Sequence, residues 1–185
     1  MFAITPRLLL RPGWQEDAPE VHKAIDDKAI VRNLARAPWP YALSDAEEFM
    51  QMPIEHHSPR WLIFQLGVAG SPVVGCIGID RMSSGNIELG YWIGRDHWGK
   101  GYATEAGQAV LANARSLGYD QIEACHFVDN PASGQVLRKL GFHPTGQIVK
   151  RFSVARGSDV DAIEFGISLS GTDQSESELM RPLAA

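Results

Sequence analysis

The sequence predicts a mixed α/β domain with a largely antiparallel sheet, and three features of the chain indicate it. Residues 86–117 have the pattern of a strand, a glycine-bearing turn and a helix. Two strand-like runs precede this stretch and are separated by Gly70-Ser71-Pro72, which is the composition of a hairpin turn. Two further strands, at 142–152 and 161–169, can pair as a closing hairpin. The predicted order of elements is β-α-α-β-β-β-α-β-α-β-β.

The part of the chain before the central turn is predicted to alternate short strands and short helices. Pro12 closes the first strand, since proline cannot continue a sheet ladder. Residues 28–34 either extend the first helix or begin another. Ser44-Asp45-Ala46-Glu47 has the pattern of a capping box and begins the next helix. The predicted elements are a strand at 7–11, a helix at 16–27, a helix at 44–50 and strands at 61–68 and 73–79.

The central stretch, residues 86–117, changes from strand to helix at a turn that contains Gly99 and Gly101. Apolar residues alternate along the strand, and its other face carries the carboxylate of Glu88. The first N–H groups of the following helix lack intrahelical partners and lie at the positive end of the helix dipole. A phosphate or pyrophosphate is the natural occupant of such a turn, and Lys100 adds a cation beside it.

The part of the chain after the central helix is predicted to contain a buried strand, a short helix and the closing hairpin. Residues 121–128 are apolar enough for a buried strand. Asn130 is predicted to be the N-cap of the short helix, and Pro131 suits its first position. Gly141 is predicted to end that helix.

Length and charge narrow the class of protein. We expect one domain over residues 1–170 and a polar, mobile tail at 171–185. The net charge of −5 argues against a nucleic-acid partner. No apolar run approaches the ~18 residues of a membrane span, and the N-terminus lacks the pattern of a secretory signal. We therefore expect a cytoplasmic protein without a nucleic-acid or membrane partner, while the oligomeric state, including a homodimer, stays open.

The cysteines and histidines give no sign of a metal site. Cys76 and Cys125 lie in apolar, strand-like runs, which is typical of buried reduced thiols, although a disulfide between them stays open. None of the six histidines has metal-ligand spacing, and the sequence contains no HExxH or CxxC motif. We therefore expect a protein that uses no metal.

Two kinds of phosphate-binding loop fit the central turn. Residues 94–100 have the GxxxxGK spacing of a P-loop, but Gly101 stands where that motif needs a hydroxyl for magnesium. The segment RDHWGKGYATEA at 95–106 resembles more closely the acetyl-CoA pyrophosphate loop of the GCN5-related N-acetyltransferases. Within that superfamily the chain is similar to the branch of the ribosomal-protein N-terminal acetyltransferases RimJ and RimL. One departure is Asp96, where members often have Gln or Arg.

This resemblance covers roughly residues 5–170 and has three anchors in the expected order: ELGYWI at 88–93, WGKGYATEA at 98–106, and NPAS at 130–133 with LGF at 140–142. It implies the fold of the superfamily, in which strands of a central, largely antiparallel sheet splay beside the loop. It also implies acetyl-CoA as the co-substrate. The residues implied to bind it are Tyr91, Trp92, Ile93, Trp98, Gly99, Lys100, Gly101, Tyr102, Ala103, Thr104, Asn130 and Ser133.

Acetyl transfer to an amine needs a base for the amine and an acid for the departing thiolate. Glu88 is our candidate base because the resemblance places a base on the equivalent strand, and its other interpretation is a solvent-facing carboxylate. Asp80 and Glu164 are the reserve candidates, and a water-mediated route also stays open. In the RimJ/RimL-like pattern, the serine that matches Ser133 lies near the sulfur of the cofactor. Many other acetyltransferases use a tyrosine as the acid where this chain has Leu137, which favours Ser133.

The sequence therefore predicts an acetyl-CoA-dependent N-acetyltransferase that works by direct transfer in a ternary complex. The expected acceptor is a primary amine, preferably the α-amine of a protein or peptide. Acetylation of a small-molecule amine, such as a polyamine, antibiotic or metabolite, is the alternative within the same class. A non-catalytic sensor that binds acyl-CoA is the alternative of another class, and the presence of both Glu88 and Ser133 favours an enzyme.

Overall fold

A computed structural model of the chain describes residues 2–53, 58–82 and 84–170, so the predicted tail at 171–185 lies outside the described residues. The elements, in chain order, are β1 (Ala3–Ile4), β2 (Leu8–Arg11), α1 (Ala18–Ile25), α2 (Lys28–Val31), α3 (Leu43–Gln51), β3 (Arg60–Gln65), β4 (Val73–Arg81), β5 (Ile87–Ile93), α4 (Tyr102–Ser116), β6 (Gln121–Phe127), α5 (Pro131–Lys139), β7 (His143–Ser153) and β8 (Ser158–Ser168). The predicted order is confirmed, with two additions. One is the two-residue strand β1, and the other is α2 as a helix of its own.

The break between α1 and α2 lies at two consecutive aspartates. Asp26 ends α1 with a ψ of 64°, which is outside the helical region. Asp27 then takes an extended conformation, and its carboxylate accepts a hydrogen bond of 2.7 Å from the backbone N–H of Ala29. This is ordinary N-capping by an aspartate, and it starts a new helix rather than continuing the first.

The N-cap of helix α3 lies two residues before the N-cap of the predicted capping box. Ala42, not Ser44, occupies the N-cap position. The carboxylate of Asp45 accepts a hydrogen bond of 2.7 Å from the backbone N–H of Ala42. Asp45 therefore supplies the returning half of a capping box from the third helical position, and this shifts the start of the helix to Leu43.

The strands form one eight-stranded sheet in the order β1-β2-β3-β4-β5-β6-β8-β7. Both predicted hairpins are present, since β3 pairs with β4 and β7 with β8 in antiparallel fashion. The only parallel neighbours among the described strands are β5 and β6. Helix α4 provides the crossover between these two parallel strands.

The sheet separates two apolar clusters, and the alternation of β5 decides which residue faces which cluster. Leu89 and Ile93 pack into the cluster that contains residues of α4 and α5. Trp92 packs into the other cluster, which contains residues of α1, α2 and α3. Because successive strand residues point to opposite faces, Glu88 shares the α1–α3 face with Trp92.

Gly75 on β4 provides a test of how closely the strands pack. A Cβ at this position would lie 2.3 Å from the backbone oxygen of Trp92, so the backbone itself must move. We predict that Gly75→Ala lowers the free energy of unfolding by about 1–3 kcal/mol, the usual cost of overpacking. Chemical denaturation measures this change. Gly90→Ala is the matched control on β5, because a Cβ there meets nothing within 4 Å, and equal destabilisation by both changes would contradict the prediction.

Candidate functional site

The turn between β5 and α4 has the conformation that its glycines allow. Gly99 and Gly101 have φ angles of 74° and 80°, a region that favours glycine because other residues carry a Cβ. A Cβ at Gly99 would meet nothing within 4 Å, so the space above this part of the turn is open. Gly101 is the N-cap of α4 and Lys100 is exposed beside it. The indole Nε1 of Trp98 donates a hydrogen bond of 2.6 Å to the Ile93 carbonyl, which holds the turn against the end of β5.

The first residues of α4 contribute backbone rather than side chains to this turn. Tyr102 and Ala103 are buried in the apolar cluster that contains residues of α4 and α5, and Thr104 is half-buried. Their N–H groups are among those that an α-helix leaves without intrahelical acceptors. The predicted strand, glycine turn and helix therefore converge on an open region lined by backbone donors and one lysine.

Strands β5 and β6 diverge beside this turn. Among the described residues their ladder contains one pair, Glu88 opposite Glu123. On its other edge β5 pairs with β4 as far as Ile93, and β6 pairs with β8 as far as Phe127. The two strands are therefore extended but separate after their first residues. This confirms the expected splayed sheet and leaves the facing backbone edges near 91–93 and 124–127 without a ladder.

Glu88 lies at the closed end of this gap in a partly desolvated position. Its side chain is 20% exposed, and its Oε2 accepts a hydrogen bond of 2.7 Å from Nη2 of Arg151 on β7. Burial raises the pKa of Glu88 above its usual range, the Arg151 guanidinium opposes this shift, and the Glu123 carboxylate adds to it. Arg151 lies 63 residues from Glu88 in sequence, and no local pattern indicated the contact.

The two reserve carboxylates share a sheet face with Glu88 but differ in surroundings. Asp80 lies directly opposite Glu88 in the β4–β5 ladder, is 43% exposed and forms an ion pair with Arg36. Glu164 lies across β6, opposite Cys125, and accepts a hydrogen bond of 3.1 Å from the Thr145 hydroxyl. The side chain of Glu88 is less exposed than that of Asp80, at 20% against 43%.

Tyr91 and Ser133 meet on the other face of the sheet. The Tyr91 hydroxyl lies 2.8 Å from Oγ of Ser133, in the first turn of α5. Burial raises the pKa of Tyr91 to about 12, so this phenol stays protonated throughout the neutral range. The resemblance gave Tyr91 a role through its backbone, and the side-chain contact was missed. The alternation that puts Tyr91 on the α4–α5 face, together with the position of Ser133 in α5, is the signal that could have indicated this contact.

Asn130 occupies the N-cap position of α5, and Pro131 is the first helical residue as predicted. The side chain of Asn130, however, makes no capping hydrogen bond with the helix. The physical reason is its backbone, whose φ of −121° and ψ of 65° lie outside the β region usual for a capping residue. Its carboxamide is therefore not used by the helix.

The loop that carries Asn130 is tied to two other segments by one carboxylate. Asp129 accepts hydrogen bonds of 2.9 Å from both terminal nitrogens of Arg156, which lies between β7 and β8. Arg32, just after α2, binds the same carboxylate at 2.6 Å. These contacts join the α2 region, the β6–α5 loop and the closing hairpin at the open end of the gap.

The remaining polar groups add no further site to the part of the chain that the structure describes. Both cysteines are free, and burial raises the pKa of the Cys125 thiol to about 11 and that of Cys76 to about 12. Within residues 2–53, 58–82 and 84–170, no three His, Cys, Asp or Glu side chains are grouped as metal ligands. Within the same ranges, no helix combines the length and apolar character of a membrane span.

Known proteins share this sequence pattern and this fold. The family model described as acetyltransferase (GNAT) domain matches residues 7–143. The uncharacterized N-acetyltransferase p20 of Bacillus licheniformis is 29% identical over 170 residues, which cover 88% of this chain and 93% of that protein.

Two solved structures with low sequence identity share the fold. RimL, a ribosomal L7/L12 alpha-N-protein acetyltransferase in complex with coenzyme A, is 20% identical with a TM-score of 0.76, over 91% of this chain and 98% of that one. The spermidine N-acetyltransferase from Vibrio cholerae, in complex with CoA and spermine, is 20% identical with a TM-score of 0.71, over 89% of this chain and 96% of that one. Since the family model spans most of the sequence, the chain belongs to the GNAT family and is an acetyltransferase.

Proposed function

We propose that this protein transfers the acetyl group of acetyl-CoA directly to a primary amine, preferably the α-amine of a protein or peptide. The observation that carries the proposal is the gap between β5 and β6. A desolvated carboxylate, Glu88, lies on one face of the sheet at this gap, and the Tyr91–Ser133 hydroxyl pair lies on the other. A thioester held in the gap is therefore accessible to a base from one side and to hydroxyl donors from the other.

The residues around the gap suit the successive parts of acetyl-CoA, from its pyrophosphate to its pantetheine arm. The backbone N–H groups of Gly99 to Thr104, with the Lys100 ammonium, suit a pyrophosphate. The unpaired backbone edge of β5 at Tyr91, Trp92 and Ile93 suits the amide groups of the pantetheine arm, which can replace the missing strand pairing. The uncommitted carboxamide of Asn130 can bond the same arm from the opposite side.

Glu88 is proposed as the base that accepts the proton of the amine, directly or through water. A base is most effective when its pKa lies near the working pH, and burial moves the pKa of Glu88 in that direction. Arg151 limits this shift, because its positive charge favours the ionised carboxylate that a base requires. Asp80 is a weaker candidate, since its side chain is more exposed than that of Glu88.

The Tyr91–Ser133 pair is proposed to assist the departing thiolate. If the Tyr91 phenol donates to Oγ of Ser133, the Ser133 hydrogen is directed away from Tyr91 and becomes available to the sulfur. A thiol pKa near 8.5 makes the thiolate a tolerable leaving group, so the pair is expected to assist rather than to be essential.

Direct transfer is favoured over an acetyl-cysteine intermediate. Cys125 lies on β6 near the gap, on the sheet face of Glu88. Only a thiolate is a good nucleophile, and a pKa of about 11 leaves this thiol almost entirely protonated at neutral pH. The acetyl group is therefore expected to pass from sulfur to nitrogen in one step, with the amine and acetyl-CoA bound together.

The preference for an α-amine follows from the pKa values of amines. An α-amine with a pKa near 8 is roughly one-tenth neutral at pH 7, whereas a lysine amine near 10.4 is neutral in about one molecule per two thousand. A lysine-specific site must supply the difference of ~3 kcal/mol by desolvation or by a stronger base. Burial raises the pKa of Glu88, but the Arg151 guanidinium opposes this shift, so we do not expect the stronger base that a lysine amine requires.

One observation favours a small polyamine as the second candidate. The sheet face of Glu88 also carries Asp80, Glu123 and Glu164, and in the described part of the chain Arg36 and Arg151 form ion pairs with two of these four carboxylates. An excess of carboxylates favours a multivalent cation such as a polyamine. The spermidine N-acetyltransferase of Vibrio cholerae shows that the same fold accommodates this class in another protein.

The first prediction concerns Glu88. Glu88→Gln should lower turnover of a good acceptor by ~10²-fold or more, the typical contribution of a general base. In the wild type, activity should fall as the pH drops below the raised pKa of Glu88, because the protonated carboxyl cannot accept a proton. The pH–rate profile measures this, with acetyl-CoA saturating and the acceptor varied.

Arg151→Met serves as the companion variant for Glu88. It removes the charge that lowers the pKa of Glu88, so the acidic limb of the profile should move to higher pH. Glu164→Gln should leave the position of that limb nearly unchanged, whereas Asp80→Asn removes a minor charge that raises the pKa of Glu88 and should move the limb slightly to lower pH. A Glu88→Gln enzyme that retains the wild-type profile would transfer the role to one of these carboxylates or to water.

The second prediction concerns the hydroxyl pair. Tyr91→Phe and Ser133→Ala should each lower kcat by roughly fivefold, since each removes one neutral hydrogen bond worth about 1 kcal/mol. If Tyr91 acts through Ser133, the double variant should be no slower than Ser133→Ala alone. Steady-state kinetics of the four proteins test this, and additive losses would mean that the two hydroxyls act separately.

The third prediction concerns the acceptor. A peptide with a free N-terminus and one internal lysine should be acetylated mainly at the α-amine when incubated with acetyl-CoA and enzyme. Mass spectrometry of the fragments locates the added group, and the same peptide with a blocked N-terminus is the control. Acetylation mainly on lysine would contradict the preference, and turnover of spermidine without any peptide product would favour the small-amine candidate. Coenzyme A binding without turnover of any amine would favour the acyl-CoA sensor.

A further inference from the structure

Arg7, in the turn between β1 and β2, contacts both the glycine turn and the first turn of α4. Its Nε donates to Oε2 of Glu105 at 2.7 Å, and its backbone N–H donates to Oε1 of the same carboxylate at 3.0 Å. Its Nη1 donates to the backbone carbonyl of Lys100 at 2.9 Å. The guanidinium also lies 4.9 Å from the ring centroid of Tyr102. One side chain thus joins the N-terminal turn, the glycine turn and the first turn of α4.

The contact with the Lys100 carbonyl constrains the glycine turn more than the other contacts do. In a planar trans peptide the C=O and the following N–H point in opposite directions. A carbonyl of Lys100 that is held toward Arg7 therefore directs the N–H of Gly101 away from Arg7. Glycine conformations are permissive, so Gly99 and Gly101 do not by themselves fix the orientation of this peptide group.

The Glu105 carboxylate gives the arginine a firm anchor. Its side chain is 14% exposed, and it also accepts a hydrogen bond of 2.6 Å from the Thr5 hydroxyl. Burial alone would raise the pKa of Glu105, but the hydrogen bonds from Thr5 and Arg7 outweigh it and hold the pKa below its usual range. The carboxylate is therefore ionised at neutral pH. Arg7 also offsets the negative charge of Glu105 in the first turn of α4, which would otherwise repel an anionic ligand.

We propose that Arg7 is a positioning residue for acetyl-CoA, because it holds the Lys100–Gly101 peptide with its N–H directed toward the pyrophosphate. Arg7 acts on the ligand through the backbone and not by contact. The inference rests on the proposed function, since it assumes that the glycine turn binds the pyrophosphate. If Arg7 only stabilised the fold through an ion pair, its contact with Glu105 would be sufficient. The hydrogen bond to the Lys100 carbonyl would then have no role.

The test compares a ligand that has the pyrophosphate with one that lacks it. Calorimetric titration with coenzyme A should give a Kd for Arg7→Met that is ~10-fold or more above that of the wild type, the effect of losing a charge-assisted hydrogen bond. Binding of pantetheine, which has the same arm but no phosphates, should change less than about twofold, within the range of changes away from a binding feature. An equal loss for both ligands, or no loss for either, would overturn the proposal.

Two further variants separate geometry from charge. Arg115→Met removes the same charge from the exposed far end of α4 and should leave the Kd of coenzyme A nearly unchanged. Arg7→Lys keeps the charge but loses the planar fork that spans Glu105 and the Lys100 carbonyl, so most of the loss should remain. Full recovery of binding in Arg7→Lys would mean that charge alone matters. If Arg7→Met fails to fold by circular dichroism, Arg7→Lys carries the same comparison.

A backbone measurement reports on the peptide group itself. In ¹⁵N-labelled wild-type protein the amide resonance of Gly101 should shift on addition of coenzyme A, and in Arg7→Met it should differ before addition and shift less at saturation. An identical Gly101 response in both proteins would overturn the positioning role. Wild-type protein that binds no coenzyme A would instead contradict the proposed function, so the two failures are distinguishable.

Discussion

The single ladder pair between β5 and β6 is the constraint on which the rest of this structure depends. Both strands are fully paired on their outer edges, β5 with β4 and β6 with β8, so neither can shift to close the gap without breaking an established ladder. Buried backbone N–H and C=O groups are costly when they lack partners. The strands on both sides of the gap are therefore fixed, and their unpaired edges can form hydrogen bonds with an extended polar ligand.

The glycine turn and α4 follow from the same constraint. Two parallel neighbours require a crossover, and α4 supplies it, so the N-terminus of a helix must lie beside the end of β5. The Trp98–Ile93 hydrogen bond keeps the turn at the end of that strand. The open edge of β5 and the free N–H groups of α4 are thereby placed next to each other, which is the order that a pantetheine arm and its pyrophosphate require.

The local parts of this arrangement were predictable from the sequence, whereas the contacts between distant segments were not. The alternation of β5 placed Glu88 and Tyr91 on opposite faces, and the glycines located the turn, because both signals lie within a few residues. Arg151 and Arg7 contact partners that lie 63 and 98 residues away in the sequence. The residues around each arginine do not indicate these partners. At the start of α3 and at Asn130, the capping patterns fitted more than one backbone conformation, so the sequence alone did not decide between them.

The division of β5 into two faces has a consequence for the proposed chemistry. The base takes a proton from the amine, and the donor gives one to the thiolate. If the two groups were in direct contact, a proton could pass between them without reaching either substrate. Here Glu88 accepts a hydrogen bond from the Arg151 guanidinium, which favours its ionised form, and Ser133 is hydrogen-bonded to Tyr91, whose phenol stays protonated. Each group is therefore held by a partner of its own. The sheet itself keeps the two functions apart, and the gap between β5 and β6 is where a substrate can connect them.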